Sequence, residues 1–322
     1  MADVAEGGVS AGLRRFAWAN VLYNLAVILW GAYVRATGSG AGCGDHWPIC
    51  NGQVIPRDPS LETIIEFTHR LTSGVALVGV VVLFIWARKT LPRHHLVRSG
   101  AKASVVLMII EALLGAGLVL FRLVADDTST ARAVAMALHL ANTLLLVGAM
   151  TLTAWWASGG KAIRLRGQGL VGGLLIGAHA GVMLLGTSGA LAALGSTLYP
   201  EVAGLEAHLA PTAHILLKLS VLHPMLALVV GGYLLAAVVI VALARNSATT
   251  RRLAAAVIGL YLLQVGAGVT NIYLQAPVWL QLVHLLLADL IWIALVCLAA
   301  DALARTEGSA APHEVVHPVA AL

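Results

Sequence analysis

Four histidines stand inside stretches that are otherwise long and apolar: His69 in "EFTHRL", His139 in "MALHLANT", His223 in "SVLHPM" and His284 in "QLVHLLL". An imidazole can donate from one nitrogen and bind a proton or a metal ion with the other, and it does neither for nothing in a water-free setting. The His69 window adds a carboxylate, Glu66, three residues earlier and on the same helical face, and an arginine, Arg70, directly after. The His223 window has Ser220 and Pro224 at those two positions. Upstream, Arg35 closes an apolar run that empties into a glycine-rich loop, in which Cys43 and Cys50 bracket "GDHWPI". The chemistry on offer is imidazole ligation of a metal, proton transfer or charge stabilisation by a carboxylate, and a disulfide.

These residues have to be positioned by membrane-spanning helices. The chain has 322 residues, 59% hydrophobic and 11% charged, with mean hydropathy +0.89. A water-soluble surface cannot be built from so few charges, so the composition specifies a polytopic protein of the lipid bilayer. The net charge of +5 is then a topology signal and carries no implication of nucleic acid. Eight stretches reach spanning length, near 16–36, 62–87, 99–121, 132–156, 167–190, 213–243, 253–275 and 278–303. With the N-terminus inside, 14 of the 20 Lys and Arg residues fall on the cytoplasmic side, the expected positive-inside bias. Both termini are then cytoplasmic, and the Cys43–Cys50 loop faces an oxidising compartment where a disulfide persists. The first fifteen residues lack an apolar core, so no cleaved targeting segment is expected.

The chain also resembles itself. "GAYVRATGS" matches "GVMLLGTSG" at an offset of 150, "EALLG" matches "QVGAG" at 153 with Glu111 over Gln264, His69 lies over His223 at 154, and His139 over His284 at 145. Four matches in one order predict a tandem parallel repeat: an all-α fold of eight transmembrane helices in two pseudo-symmetric four-helix bundles. The expected units are a tail (1–15), an N-terminal half (16–157), a linker (158–166), a C-terminal half (167–304) and a disordered cytoplasmic tail (305–322). Each histidine falls about 10–15 Å below the outer start of its helix, so each half offers two imidazoles at one depth. A lone intramembrane histidine is most simply an interhelical hydrogen bond. Two depth-matched pairs read as axial ligands of two haems, one per half. Only the first half adds a carboxylate, two arginines and a cysteine loop; Leu185 stands for Arg35. That asymmetry suits one haem that is worked upon and one that carries electrons. Arg35 and Arg70 could pair with haem propionates, or could snorkel to the interface.

"GAYVRATGSGAGCGDHWPICNG" followed by "EFTHRLTSG" resembles the haem A synthase family, over essentially all eight helices. The resemblance implies an oxidoreductase of the cell membrane that converts a ring methyl group of haem O to a formyl group, giving haem A for cytochrome oxidase. It implies a haem b cofactor on His223 and His284, a substrate haem site with His69 and His139, and Glu66 as the essential carboxylate. Cys43 and Cys50 match the family's outer-loop pair, and a haem O synthase is the expected neighbour. Pro224 and the cysteine-free second outer loop depart from the family's pattern.

Other polar residues read more plainly. His179, Glu111 and Cys297 are expected to be core residues, the first two hydrogen-bonded within the protein and Glu111 neutral beside the Gly115/Gly117 packing surface. His94 and His95 are expected to be free at the cytoplasmic surface. The competing function is a di-haem b protein that oxidises quinol without modifying haem, and a proton-coupled transporter using a histidine relay is the third class. The electron carrier leaves Glu66, Arg70 and the cysteine loop without a task, and the transporter would show no haem absorbance.

Overall fold

The computed structural model describes residues 8–164, 166–200, 205–245 and 247–304, and among them every regular element is a helix. In chain order these are α1 (Ala11–Ala36), a 3-10 turn (Ser39–Ala41), α2 (Leu61–Thr90), α3 (Leu96–Leu120), α4 (Thr130–Ala157), α5 (Gly169–Leu198), α6 (Leu205–Leu209), α7 (Ile215–Ala244), α8 (Ala248–Tyr273) and α9 (Val278–Ala302). All of the α-helices but α6 are long and apolar enough to cross a membrane, with mean hydropathy from 1.3 to 2.8. Only 17–39% of each apolar window is buried within the protein. Much of the remainder is exposed and apolar, as at Leu228, Val229 and Leu243. Such a surface is stable in hydrocarbon, where the helices satisfy their own backbone groups. The chain is a multi-pass membrane protein.

The helix ends follow local chemistry. Ser10, Ser60, Ser129 and Ser247 each accept a hydrogen bond from the amide three residues on, at 3.2 Å, the N-cap arrangement that satisfies an orphan donor. Ser10 therefore starts α1 five residues before the expected position 16. His95, expected to be free, caps α3 through Nδ1, which accepts from the Val97 amide at 3.2 Å. The largest difference from expectation is α5, which continues eight residues past 190 to Leu198. α1 is stopped by Gly38 at φ 70°, whereas "LAALGSTL" carries small residues that keep α5 against α7 until Pro200. At Gly195 the Leu216 carbonyl would approach a Cβ to 3.2 Å. The expected tail 305–322 lies outside the described residues.

α1 to α4 form one four-helix group in which α4 closes back onto α1, and α5, α7, α8 and α9 form a second, closed by α9 on α5. Each group has its own core, around Val80, Leu83 and Met150 in the first and Leu175, Leu234 and Leu295 in the second. α1 and α4 meet α5 and α9 along a seam filled by Leu144, Val147, Trp292 and Val296. There the Trp292 indole donates to the Leu144 carbonyl at 2.6 Å, over Gly148, where a Cβ would lie 3.3 Å from Nε1. The connection between the groups is tied back to α9 by the Arg164 amide, which donates to the Leu303 carbonyl at 2.9 Å.

The segment between α1 and α2 is a compact cap held by the Cys43–Cys50 disulfide, both half-cystines being fully buried. The Asn51 amide donates to the Cys43 carbonyl at 3.0 Å, and Cys50 and Gln53 exchange two backbone bonds of 2.9 Å. The cap sits directly on the first turn of α2. Thr63 Oγ1 donates to the Gly42 carbonyl at 2.6 Å, and a Cβ on Gly42 would lie 2.4 Å from the Glu62 carbonyl. That approach is backbone against backbone, so neither side can yield by a rotamer change. Gly42→Ala should lower stability by about 1–3 kcal/mol, read by thermal unfolding in detergent. Gly40→Ala, which would meet only the Val124 side chain at 3.4 Å, should be close to neutral.

Candidate functional site

In the second group, His223 on α7 and His284 on α9 face one another with ring centroids 6.3 Å apart and planes at 81°. Metal–imidazole bonds are about 2 Å long, and a ring nitrogen lies about 1.2 Å from its ring centre. Two imidazoles on opposite sides of one ion therefore have centres about 6.4 Å apart, close to the observed spacing. The Ser188 hydroxyl lies 2.9 Å from His223 Nδ1 and orients that ring. Gln264 Nε2 lies 3.2 Å from His284 Nε2, while His284 Nδ1 is buried without a hydrogen-bond partner. Each ring sits in a glycine notch on the neighbouring helix: a Cβ on Gly189 would reach His223 Cε1 at 3.0 Å, and one on Gly268 would reach His284 Cε1 at 3.1 Å.

The first group repeats this construction with other chemistry. His69 on α2 lies in a notch at Gly31, where a Cβ would stand 2.9 Å from its Cε1, and Gly115 lies 3.8 Å by the same measure from His139 Nε2. His69 Nδ1 is buried and unpartnered, within electrostatic range of His139 and Glu111. Where the second group has Gln264, the first has Glu111, whose Oε1 lies 3.0 Å from His139 Nδ1. Asn142 Nδ2 donates to Glu111 Oε2 at 2.6 Å, and the Thr143 hydroxyl donates to Oε1. This set places a carboxyl group beside His139, and a carboxyl partner of that kind strengthens an imidazole as a metal ligand.

Glu66, 3% exposed, is the link between this group and the cap. Its Oε2 accepts from the Cys43 amide at 2.8 Å, and its Oε1 accepts from Arg70 Nε at 3.0 Å and also from Nη2. Arg70 Nη1 donates in turn to the carbonyls of His46 and Ile49, at 2.6 and 2.8 Å. Glu66 and Arg70 thus clamp both ends of the disulfide-closed segment onto α2, one turn from His69. On the far side Arg122 pairs with Asp45, and its hydrogen bond holds the Asp45 carboxyl below the ordinary aspartate value. Arg35 points elsewhere. All of its hydrogen bonds cross the seam, to the Ala193 carbonyl (2.8 Å), Thr197 Oγ1 (2.6 Å) and Gln281 Oε1 (2.9 Å).

The cytochrome oxidase assembly protein family, COX15-CtaA, matches residues 14–296. The chain belongs to this family. A protein named protoheme IX farnesyltransferase from Thermus thermophilus is 52% identical over 296 residues, which is 91% of this chain and 49% of the relative. A heme A synthase from Alkalihalophilus pseudofirmus is 48% identical over 97 residues, 30% of this chain and 33% of its own length. One from Shouchella clausii is 46% identical over 110 residues, 34% of this chain and 36% of the relative. The chain spans about half the length of the Thermus relative and about a third of the others.

For this COX15-CtaA member the four histidines, Glu66, Arg70, Cys43 and Cys50 are brought to the same end of the helices, and Arg35 joins the two groups. The sequence reading missed three kinds of partner. Glu111 was expected to be a hydrogen-bonded packing residue, and it also orients His139; its alignment with Gln264, beside the aligned histidines, was the available signal. Ser188 and the glycine notches carried no signal of their own. The notches at Gly31 and Gly189 are 158 residues apart, so by packing Ala193 stands opposite Arg35, where the 150-residue match suggested Leu185. His179 forms the internal bond expected of it, 2.7 Å from the Leu175 carbonyl, and Cys297 is buried. Asp289 is fully buried, and neither carboxylate oxygen has a hydrogen-bond partner.

Closing so short a loop stabilises the cap by about 2–3 kcal/mol in the chain-entropy model, while the Glu66–Arg70 clamp acts independently of it. Cys43→Ser should therefore keep native helicity by circular dichroism, and limited proteolysis between residues 43 and 60 should become several-fold faster. Adding Arg70→Gln should accelerate cleavage again. Equal cleavage rates in all three proteins would show that neither restraint holds the cap.

Proposed function

We propose that this protein is a haem A synthase, oxidising a ring methyl group of haem O to the formyl group of haem A for cytochrome oxidase. The observation that carries the reading is the His223–His284 pair, two half-buried imidazoles on different helices at a separation that fits one iron between them. Groups of three or more His, Cys, Asp or Glu side chains able to hold a bare metal ion are absent among the described residues. Two facing imidazoles suit the axial positions of an iron whose other four ligands come from a porphyrin, as in haem. Family membership and the heme A synthase names of the relatives support the same chemistry.

On this reading haem b is the cofactor in the C-terminal half, on His223 and His284, and the haem O site is in the N-terminal half, with His69 and His139. Bound haem b supplies one-electron redox chemistry, and the surrounding residues supply orientation and charge. Ser188 and Gln264 hold the cofactor-side imidazoles with neutral partners. Glu111 gives His139 a carboxyl partner in place of the amide, which would strengthen that imidazole as a donor to the substrate iron. Glu66 places a carboxylate one turn from His69, where it can accept a proton or stabilise positive charge as the methyl group is oxidised. Arg70 holds Glu66 in place and keeps the cap closed over that half. The cap faces the outside of the cell membrane and both termini the cytoplasm, as the Lys and Arg distribution supports.

The Thermus relative, about twice as long and named for farnesyl transfer to protoheme IX, supports a working association with a haem O synthase. Farnesylation supplies the class of porphyrin that this site would take. The competing reading, a di-haem b electron carrier, draws support from the complete engagement of Glu66 with Arg70 and the Cys43 amide, which suits a purely structural carboxylate.

Chromatography of haem extracted from the purified protein, expressed with and without a haem O synthase, separates the two. Haem O or haem A beside haem b is expected, and haem b alone at both sites would establish the electron carrier. His223→Ala or His284→Ala should abolish stable haem b binding, since an axial ligand is lost. His69→Ala or His139→Ala should retain haem b and lose conversion of haem O. The reverse pattern would invert the assignment of the halves.

Glu66→Gln keeps the shape and removes the charge. It should fold, retain haem b, accept haem O and make little or no haem A. Near-normal haem A production by this variant would reduce Glu66 to a loop anchor.

A further inference from the structure

We propose that Arg35, carried by the first helix group, binds the carboxylate end of the porphyrin held by His223 and His284 in the second group. The inference rests on the haem reading above and adds a residue to that site from across the seam.

The placement follows from three contacts. Gln281, whose Oε1 accepts from Arg35 Nη2 at 2.9 Å, lies one helical turn before His284 and on the same face of α9. Ala193 and Thr197, which accept from Nη1 at 2.8 and 2.6 Å, lie one and two turns beyond Gly189 on α5. Gly189 is the residue whose notch receives the His223 ring. The guanidinium therefore sits over the two cofactor-side imidazoles, toward the end of the helices that carries the cap.

The charge there is not balanced by the protein. Every acceptor that Arg35 reaches is neutral, and no carboxylate lies within ion-pair distance of it among the described residues. Its charged neighbour is Arg132, a second cation. Even a half-buried cation without a counter-ion is unfavourable, and a second cation nearby makes it worse. Its Nε–H makes no hydrogen bond among the described residues, which leaves donors for a planar, bidentate acceptor. A carboxylate entering from the histidine side satisfies all of these conditions, and a haem carries two on one edge. The counterpart in the first group does not do this job, because Arg70 is closed off by Glu66 and two loop carbonyls.

The test uses the full-length protein in detergent or nanodiscs, stripped of haem and reloaded with haem b or with its dimethyl ester, whose propionates carry no charge. The readout is the optical band that His284→Ala removes, together with its midpoint potential. Wild type should hold haem b at least ten-fold more tightly than the ester. Arg35→Gln should lose that preference and shift the haem b potential downward, because a cation near the propionates favours the reduced iron. Arg35→Lys should restore part of both. A role in helix packing alone would alter thermal stability and leave the ester preference and the potential as in wild type. Equal binding of the two porphyrins by wild type overturns the inference and leaves the haem site standing, and it needs no variant to fold. Failure of wild type to bind either porphyrin would remove the site itself.

Discussion

A polar side chain inside a lipid-embedded helix can be satisfied only by the protein or by something the protein holds. Most of this structure is arranged around that constraint as it applies to four imidazoles. Each is brought to a glycine on an adjacent helix, at Gly31, Gly115, Gly189 and Gly268, so that its ring can lie between helices and not against lipid. Close helix approach at small residues is the usual way membrane helices associate. Here the same approach creates the rooms in which the histidines sit, so packing and site come from one set of residues.

The two groups then diverge in the polar atoms they place behind the rings. Ser188 and Gln264 stand behind the rings of the second group, and Glu111, tied down by Asn142 and Thr143, stands behind His139 in the first. The two groups thus differ there by one functional group, carboxyl against amide. Glu66 and Arg70 add a second asymmetry by binding the disulfide cap to α2 on one side only.

The seam between the groups is as specific as their interiors. Trp292 bonds to the Leu144 carbonyl and rests on Gly148, and His179 meets its edge at 5.3 Å. Arg35 crosses the same seam with three hydrogen bonds, so movement of one group against the other would break contacts that a purely apolar seam could re-form after sliding. The groups are thereby held in one register.

Composition alone determined that the chain lives in a membrane, because 11% charge cannot solvate its surface. Apolar run length set the number of spans, and the spacing of His69, His139, His223 and His284 singled out the polar positions on them. Span ends were less legible, since they depend on single caps such as Ser10 and on glycine placement, as the eight extra residues of α5 show. What each polar side chain does was decided only by tertiary structure. Arg35 and Arg70 look alike in sequence, each a cation near a span's outer end. Yet one is neutralised by Glu66 within its own helix, and the other reaches three neutral acceptors more than 150 residues away. A hydrogen bond is fixed by direction and distance across helices, and a one-dimensional pattern carries neither.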